Sequence, residues 1–336
     1  MVTVLPPPKT GQTTVSELMA QALKGVCHLV VKPIQKQSAI AVRFWSLYKH
    51  FVITWTVVKV VVGKRPDWLY LVPDSGIGMW GSVVSALVAR LGGVRLLAHH
   101  HVFAYCRQRR LSASVFFWIA GRRSRHIVLG RKMVDGICEH YGPGIDTVIL
   151  SNRLFFVDET GQALKPWPAS IRRIGFLSNI TQEKGIAAFM ELCSTVPINA
   201  TIAGPAGNLN TQAAIDWFVG ELPDRRSYLG PVYGEAKKDF FDSIDMLVFP
   251  TRYKNEAEPL VVYEALDRGI PVLATPMGCI PDQLPTEGVA PSVDEFVFWA
   301  AAQIAQWPAK APQCWVDAFE PSSESLDKTL QRIVVE

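Results

Sequence analysis

The chain is poor in several features that mark whole classes of protein. Cysteine is scarce, with six in 336 residues, at positions 27, 106, 138, 193, 279 and 314. None forms a Cys-x-x-Cys pair and no spacing fits a zinc ribbon or finger, so the sequence predicts buried or free thiols in a reducing compartment. No uninterrupted apolar run approaches the ~20 residues that cross a bilayer. Residues 192–215 are uncharged but broken by prolines, asparagines and glycines, and residues 75–89 are too short. The N-terminus, Met1-Val2-Thr3-Val4-Leu5 followed by three prolines, lacks the basic and apolar regions of a signal peptide. A cytoplasmic location is therefore expected, with the inner face of the cell membrane as the second reading. Charge is modest at 19% against 49% hydrophobic residues, which excludes a disordered chain. The 24 glycines and 23 prolines follow no period, which excludes a collagen-like or low-complexity protein.

What the sequence does have is an uneven charge and a regular alternation. Residues 1–160 hold 20 Lys and Arg against 8 Asp and Glu, while the remainder holds 14 against 22. The basic half therefore predicts an anionic partner or surface. Short apolar runs alternate with helical patterns over residues 2–150, pause over 152–170, where Pro166 and Pro168 fall, and resume from 173. Strands alternating with helices argue for parallel sheets covered on both faces. The expected organisation is an N-terminal Rossmann-like domain over 1–151, a linker over 152–170, a second domain over 171–320, and a terminal helix over 321–336 packing back on the first. Ligands in doubly wound sheets bind at the carboxyl ends of strands, and two such domains place the default site in the cleft they face.

The informative stretch runs from Phe249 to Thr275. A buried strand ends at Pro250, a polar loop follows, Pro259 opens a helix, and Gly269 closes it. The helix start offers free N–H groups at Leu260, Val261 and Val262, which favour a phosphate. Glu256 lies in the loop and Glu264 one turn inside the helix, so one carboxylate falls on either side of an anion held there. Carboxylates in that position accept hydrogen bonds from the hydroxyls of a sugar and a ribose.

This stretch resembles the donor-binding domain of the family-four glycosyltransferases, whose fold is GT-B: two doubly wound Rossmann-like α/β domains facing a central cleft. Their signature, Glu, seven residues, Glu-Ala, then Gly-x-Pro-Val, is matched by Glu256, Glu264-Ala265 and Gly269-Ile270-Pro271-Val272. Pro276-Met-Gly-Cys-Ile-Pro-Asp282 resembles the glycine loop that follows, and the turn at Lys184-Gly185 resembles the family's first Lys-Gly turn. Ala203-Gly204-Pro205 and Leu229-Gly230-Pro231-Val232 resemble two further turns.

The resemblance implies a retaining, metal-independent transferase that takes a UDP- or GDP-linked sugar as substrate and carries no resident cofactor. By that analogy Glu264 holds the ribose hydroxyls, Glu256 contacts the donor sugar, and Lys184 neutralises the departing diphosphate. Departure of a diphosphate develops negative charge, and preorganised cations and N–H groups lower that barrier. The chain has no Asp-x-Asp, the usual mark of metal-dependent GT-A enzymes. Two departures stand out. Asn179 occupies the position of a second phosphate cation, an arginine in many members, and Arg252 is the candidate replacement. Glu258-Pro259 stands where Phe-Gly is usual.

In the N-terminal half the loop 6–13 carries neither a P-loop nor a Gly-x-Gly-x-x-Gly string. Gly11 is the glycine by which, in the resembling family, the backbone approaches the diphosphate or the acceptor. The run His99-His100-His101 ends a strand, where alternation puts His99 and His101 on one face and His100 on the other. His101 is the candidate functional histidine, and no further ligand cluster supports a metal site. The arginines around the apolar helix 111–120, and the helix 38–62 with Trp45, Phe51 and Trp55, suit an anionic membrane surface. The expected acceptor is a saccharide or a polyprenyl-linked sugar of surface or exopolysaccharide assembly. No nucleic-acid module is present. The alternatives are a non-catalytic sugar-binding protein and a GT-B nucleotide-sugar epimerase.

Overall fold

The computed structural model describes residues 1–4, 11–27, 32–34, 42–155, 164–320 and 325–335. It divides into two compact units, Met1–Phe155 with Ser322–Glu336, and Phe156–Pro321.

The N-terminal unit runs β1 (Val2–Val4), α1 (Gly11–Lys24), β2 (Lys32–Ile34), α2 (Val42–Lys64), β3 (Trp68–Leu71), α3 (Gly78–Leu91), β4 (Arg95–His99), α4 (Ala104–Arg107), α5 (Leu111–Ala120), β5 (Arg125–Val128), α6 (Arg131–Tyr141) and β6 (Thr147–Ile149). Strands β3, β4, β5 and β6 form a parallel sheet in that order, and β1 pairs with β2 in a separate parallel ladder. The pleat sorts side chains to two faces. Tyr70, Leu97 and Ile127 pack with Met19 and Leu23 of α1 and with Leu330 and Ile333 of the terminal helix. The opposite face is covered by α2, α3 and α5, which pack side by side.

Close approach of α2 to α3 depends on glycine. A Cβ on Gly81 would lie 2.4 Å from the His50 ring, and one on Gly92 would lie 2.0 Å from a Val61 methyl. Gly81 closes Gly76-Ile-Gly78-Met-Trp-Gly81, a Gly-x-Gly-x-x-Gly string at the start of α3. Here it serves helix packing.

The C-terminal unit runs β7 (Arg173–Leu177), α7 (Ile186–Thr195), β8 (Asn199–Ala203), α8 (Leu209–Glu221), β9 (Arg226–Tyr228), α9 (Glu235–Ser243), β10 (Met246–Phe249), α10 (Leu260–Leu266), β11 (Val272–Ala274), α11 (Ile280–Gln283), α12 (Phe296–Ala305) and α13 (Gln313–Phe319). Its five strands are all parallel, in the order β11-β10-β7-β8-β9. β10 is wholly buried, Met-Leu-Val-Phe without a polar residue, as a strand covered on both faces must be. Two cores flank the sheet. Phe176, Phe189, Phe218 and Phe296 fill one, and Phe241, Phe249, Leu266 and Trp315 the other. A last helix, α14 (Leu326–Val335), belongs to the N-terminal unit. Arg125 of β5 ties it down by donating to the carbonyls of Arg332 and Ile333.

Several expectations need correction. The sequence offers Thr13 or Thr14 as the cap of the first helix, but α1 already starts at Gly11, and the rest of the preceding loop, residues 5–10, lies outside the described residues. The strand expected over 27–32 also lies mostly outside them, and β2 begins at Lys32. Of the expected linker, residues 156–163 lie outside, but 164–170 is fastened to the C-terminal unit. Lys165 Nζ donates to the carbonyls of Asp242 and Ile244 at the end of α9, at 2.8 and 2.5 Å. Trp167 stacks on Trp307 at 4.7 Å. Prolines break the helical rhythm there without preventing packing. α4, α11 and α13 have too few residues to show a helical period and were not anticipated.

Candidate functional site

In the C-terminal sheet β7 and β10 are neighbours, but the chain leaves β7 towards β8 and leaves β10 towards β11. The strand order reverses at this pair, and a crevice opens at their carboxyl ends. Both loops that follow carry candidate residues. After β7, Thr181 caps a single 3-10 turn, its hydroxyl accepting from the Lys184 amide at 3.2 Å. Gly185 then takes φ 85° with its Cα against the end of β10, where a Cβ would lie 1.9 Å from the Pro250 carbonyl. That contact fixes Lys184 beside the β10 loop.

Lys184 Nζ donates to Glu256 Oε2 at 2.6 Å. The same oxygen accepts from the Thr251 hydroxyl at 3.0 Å. Glu256 is buried, and the Lys184 ammonium also sits 4.9 Å from the Tyr253 ring centroid. The glycine loop holds this carboxylate from behind: a Cβ on Gly278 would lie 2.3 Å from the Glu256 carbonyl, and the Cys279 amide donates to Ala257 at 2.7 Å. Glu258, at the departure from the family pattern, is buried and accepts from the Tyr263 hydroxyl at 2.7 Å.

Arg252 sits otherwise. Its amide donates to the Glu183 carbonyl at 2.7 Å, but its half-exposed guanidinium lies on Asp294 at 3.2 Å, away from the Lys184–Glu256 pair. Asn179 is exposed in the bend after β7. Leu260 and Val261 are the first two residues of α10, behind Pro259. Glu264 pairs through Oε1 with Lys237 Nζ of α9 at 2.5 Å, while its buried Oε2 has no hydrogen-bond partner. An orphaned carboxylate oxygen that cannot reach water is an unused acceptor. Lys237 escaped the sequence reading, and no local pattern would have found it, because it meets Glu264 only through the packing of α9 and α10.

In the N-terminal unit His99, His100 and His101 divide as alternation requires. His100 turns into the core, with Nδ1 2.8 Å from the Tyr105 hydroxyl and Nε2 2.9 Å from His126 Nδ1. His99 Nδ1 is 2.7 Å from the Tyr70 hydroxyl, and its ring lies 4.0 Å from that of His101. The Nε2 atoms of His99 and His101 are buried and unpartnered. Burial pushes His101 and His126 down to about 4, and His99 and His100 also well below the ordinary range, so all four rings are neutral at pH 7. Gly11 opens α1. Among the described residues no group of three or more His, Cys, Asp or Glu is arranged to hold a metal.

Comparison with known proteins bears on the fold. Residues 171–306 match the family described as glycosyl transferases group 1. Anabaena HepE, solved with UDP-glucose, is similar at 14% identity and a TM-score of 0.66, covering 99% of this chain and 97% of that one. The lipopolysaccharide outer core galactosyltransferase WaaB is similar at 14% identity and 0.65, over 90% and 84% of the two chains. The catalytic domain of starch synthase IV from Arabidopsis thaliana, bound to ADP and acarbose, is similar at 10% and 0.64, over 99% and 97%. The search of curated proteins found no match. The fold is GT-B. The match to the group 1 glycosyl transferases lies within the C-terminal unit, which also holds the Lys184–Glu256 pair.

Proposed function

We propose that the protein transfers a sugar, with retention, from a nucleotide-sugar donor to a saccharide or polyprenyl-linked acceptor in surface or exopolysaccharide synthesis. The observation that carries this reading is the Lys184–Glu256 pair at the sheet's reversal point, with the unused Glu264 carboxylate oxygen on the neighbouring helix. Glu264 Oε2 accepts from the ribose hydroxyls. The Lys184 ammonium has three donors and spends one on Glu256, leaving two for diphosphate oxygens. Glu256, fixed by Thr251 and Lys184, receives a hydroxyl of the donor sugar. As the bond from the anomeric carbon to the diphosphate breaks, the negative charge grows on oxygens already facing Lys184 and the α10 amides of Leu260 and Val261. Arg252 leaves its exposed pair with Asp294, a contact worth little in water, to supply the second cation. The N-terminal unit takes up the acceptor, with His101 and Gly11 at its ligand side. Rate then derives from positioning and charge stabilisation, without a protein nucleophile. The complexes of HepE with UDP-glucose and of starch synthase IV with ADP support a nucleotide-diphosphate donor.

Thermal unfolding with millimolar UDP, GDP or ADP tests the reading. A nucleotide at 100 times its dissociation constant adds about 2.7 kcal/mol. The expected result is a rise in Tm with one nucleotide that Glu264→Ala abolishes. No rise with any of the three would overturn a donor site.

A further inference from the structure

The covering layer α2–α3–α5 carries an exposed apolar face. Ile77 at the N-cap of α3 and Trp80, Val84, Leu87 and Leu91 along it face outward, spaced three and four apart in a helical stripe. Ile77 is 85% and Leu91 79% exposed. Its two neighbours continue the face: α2 with Phe51, Trp55 and Val62, and α5 with Leu111 and Trp118, the tryptophan 75% exposed. The helices are tied edge to edge. Thr54 and Ser85 hydroxyls meet at 3.1 Å between α2 and α3, and Lys49 of α2 pairs with Asp74 ahead of α3. Arg90 of α3 donates to the Trp118 and Ile119 carbonyls of α5 at 3.0 and 2.9 Å. Single exposed apolar side chains are ordinary, but ten on three adjoining helices are a patch. The exposed apolar residues of the C-terminal unit, by contrast, are scattered over separate elements.

Charge says what covers the patch. Residues 42–134 hold 15 Lys and Arg against only Asp67 and Asp74. At the ends of α2 and α3, a cleft of about 680 Å³ has a charged lining of four arginines, Arg65, Arg95, Arg123 and Arg125, against two carboxylates, Asp67 and Asp146. Arg125 is spent on Asp146 and the end of α14, and Arg95 lies over the Trp68 ring at 4.1 Å. Arg65 and Arg123 are exposed at its mouth. A second copy of the chain set against this face would bring cations against cations. An apolar plane with a tryptophan on each helix and a cationic border suits an anionic bilayer surface, with tryptophans at the headgroup level and arginines on phosphates. Among the described residues no helix is long and apolar enough to cross a membrane.

We propose that α2, α3 and α5 form a membrane-contact face that lies on anionic bilayers, with the Arg65–Arg123 cleft taking lipid headgroup phosphates. The proposal is independent of sugar transfer, since a chain that binds no nucleotide keeps this face. The test is co-sedimentation with phosphatidylcholine vesicles containing or lacking half phosphatidylglycerol, at low and high salt. The proteins are the wild type, Trp80→Glu/Leu87→Glu and Arg65→Glu/Arg123→Glu, with thermal melts confirming that each variant folds. The wild type is expected to pellet with anionic vesicles only and to be released by salt, and each variant to bind about tenfold more weakly or worse. Failure of the wild type to pellet with anionic vesicles at low salt overturns the proposal. So does undiminished pelleting of both folded variants. Light scattering that shows a dimer, made monomeric by Trp80→Glu/Leu87→Glu, would assign the face to self-association instead. If that variant fails to fold, the arginine pair decides.

Discussion

Lys184 and Glu256 come from loops 72 residues apart and meet at 2.6 Å because Gly185 lets the backbone press on the end of β10. The other cation is held less firmly. Arg252 rests on Asp294, an exposed pair that costs little to break. Loss of one preorganised charge-stabilising group costs about 10²–10³ in turnover. Lys184→Ala is therefore expected to lower kcat by about that factor, Arg252→Ala by a comparable one, and Asp294→Ala not at all. Steady-state kinetics with the donor identified by thermal shift would show this, and near-normal turnover of Arg252→Ala would remove it from the reaction. At this scale the sequence was most legible where the signal is local. Glu256 and Glu264 stand eight positions apart around one helix start, and Lys184 stands in one turn. Lys237 was invisible because its partner lies 27 positions away on another helix.

The elements around the site are held by backbone contacts that side-chain patterns do not reveal. Gly185 at φ 85° and Gly278 at φ 56° each sit where a Cβ would strike a carbonyl. Gly185→Ala places an L side chain in an unfavourable conformation, costing about 1–3 kcal/mol before the clash with Pro250 is counted. It should lower both the denaturant midpoint of the C-terminal unit and its nucleotide affinity. Gly220, late in α8 with open space around it, is the control. Gly220→Ala should leave affinity unchanged and add about 0.5–1 kcal/mol of stability. β7, β8, β10 and the edge strand β11 fall on short apolar runs bounded by turns, the pattern by which a buried strand is legible in sequence. Helix starts were less legible. α8 begins at Leu209 because the Asn208 side chain caps the Thr211 amide at 2.8 Å, a cap that the apolar period of the helix does not reveal.

Across the whole molecule the titrating groups are unevenly shared. All seven histidines fall in the N-terminal unit, and four of them are buried as neutral rings. His101 and His126 titrate near 4 when folded and near 6.5 when unfolded, so the unfolded chain takes up protons first as the pH falls. Their contribution to stability is present above pH 6.5 and is lost progressively towards pH 4. Calorimetry from pH 7 to 5 should therefore show the transition of the N-terminal unit moving to lower temperature, while that of the C-terminal unit stays nearly constant. His126→Phe, which keeps the ring but cannot take up a proton, should flatten that slope.

By itself the sequence determined the class of fold, because alternating apolar runs and helical periods admit few solutions other than parallel sheets covered on both faces. It also singled out Glu256, Glu264 and Lys184 as candidates, because each stands in a local pattern around one turn or one helix start. Only the tertiary structure decided how those groups are employed. Lys237 on Glu264, Arg252 on Asp294 and His100 on His126 are contacts between distant segments, set by the packing of elements. The apolar face of α2, α3 and α5 belongs to the same category. The sequence showed apolar helices with cationic ends, which a buried helix also has, and only burial revealed which of their faces remain uncovered.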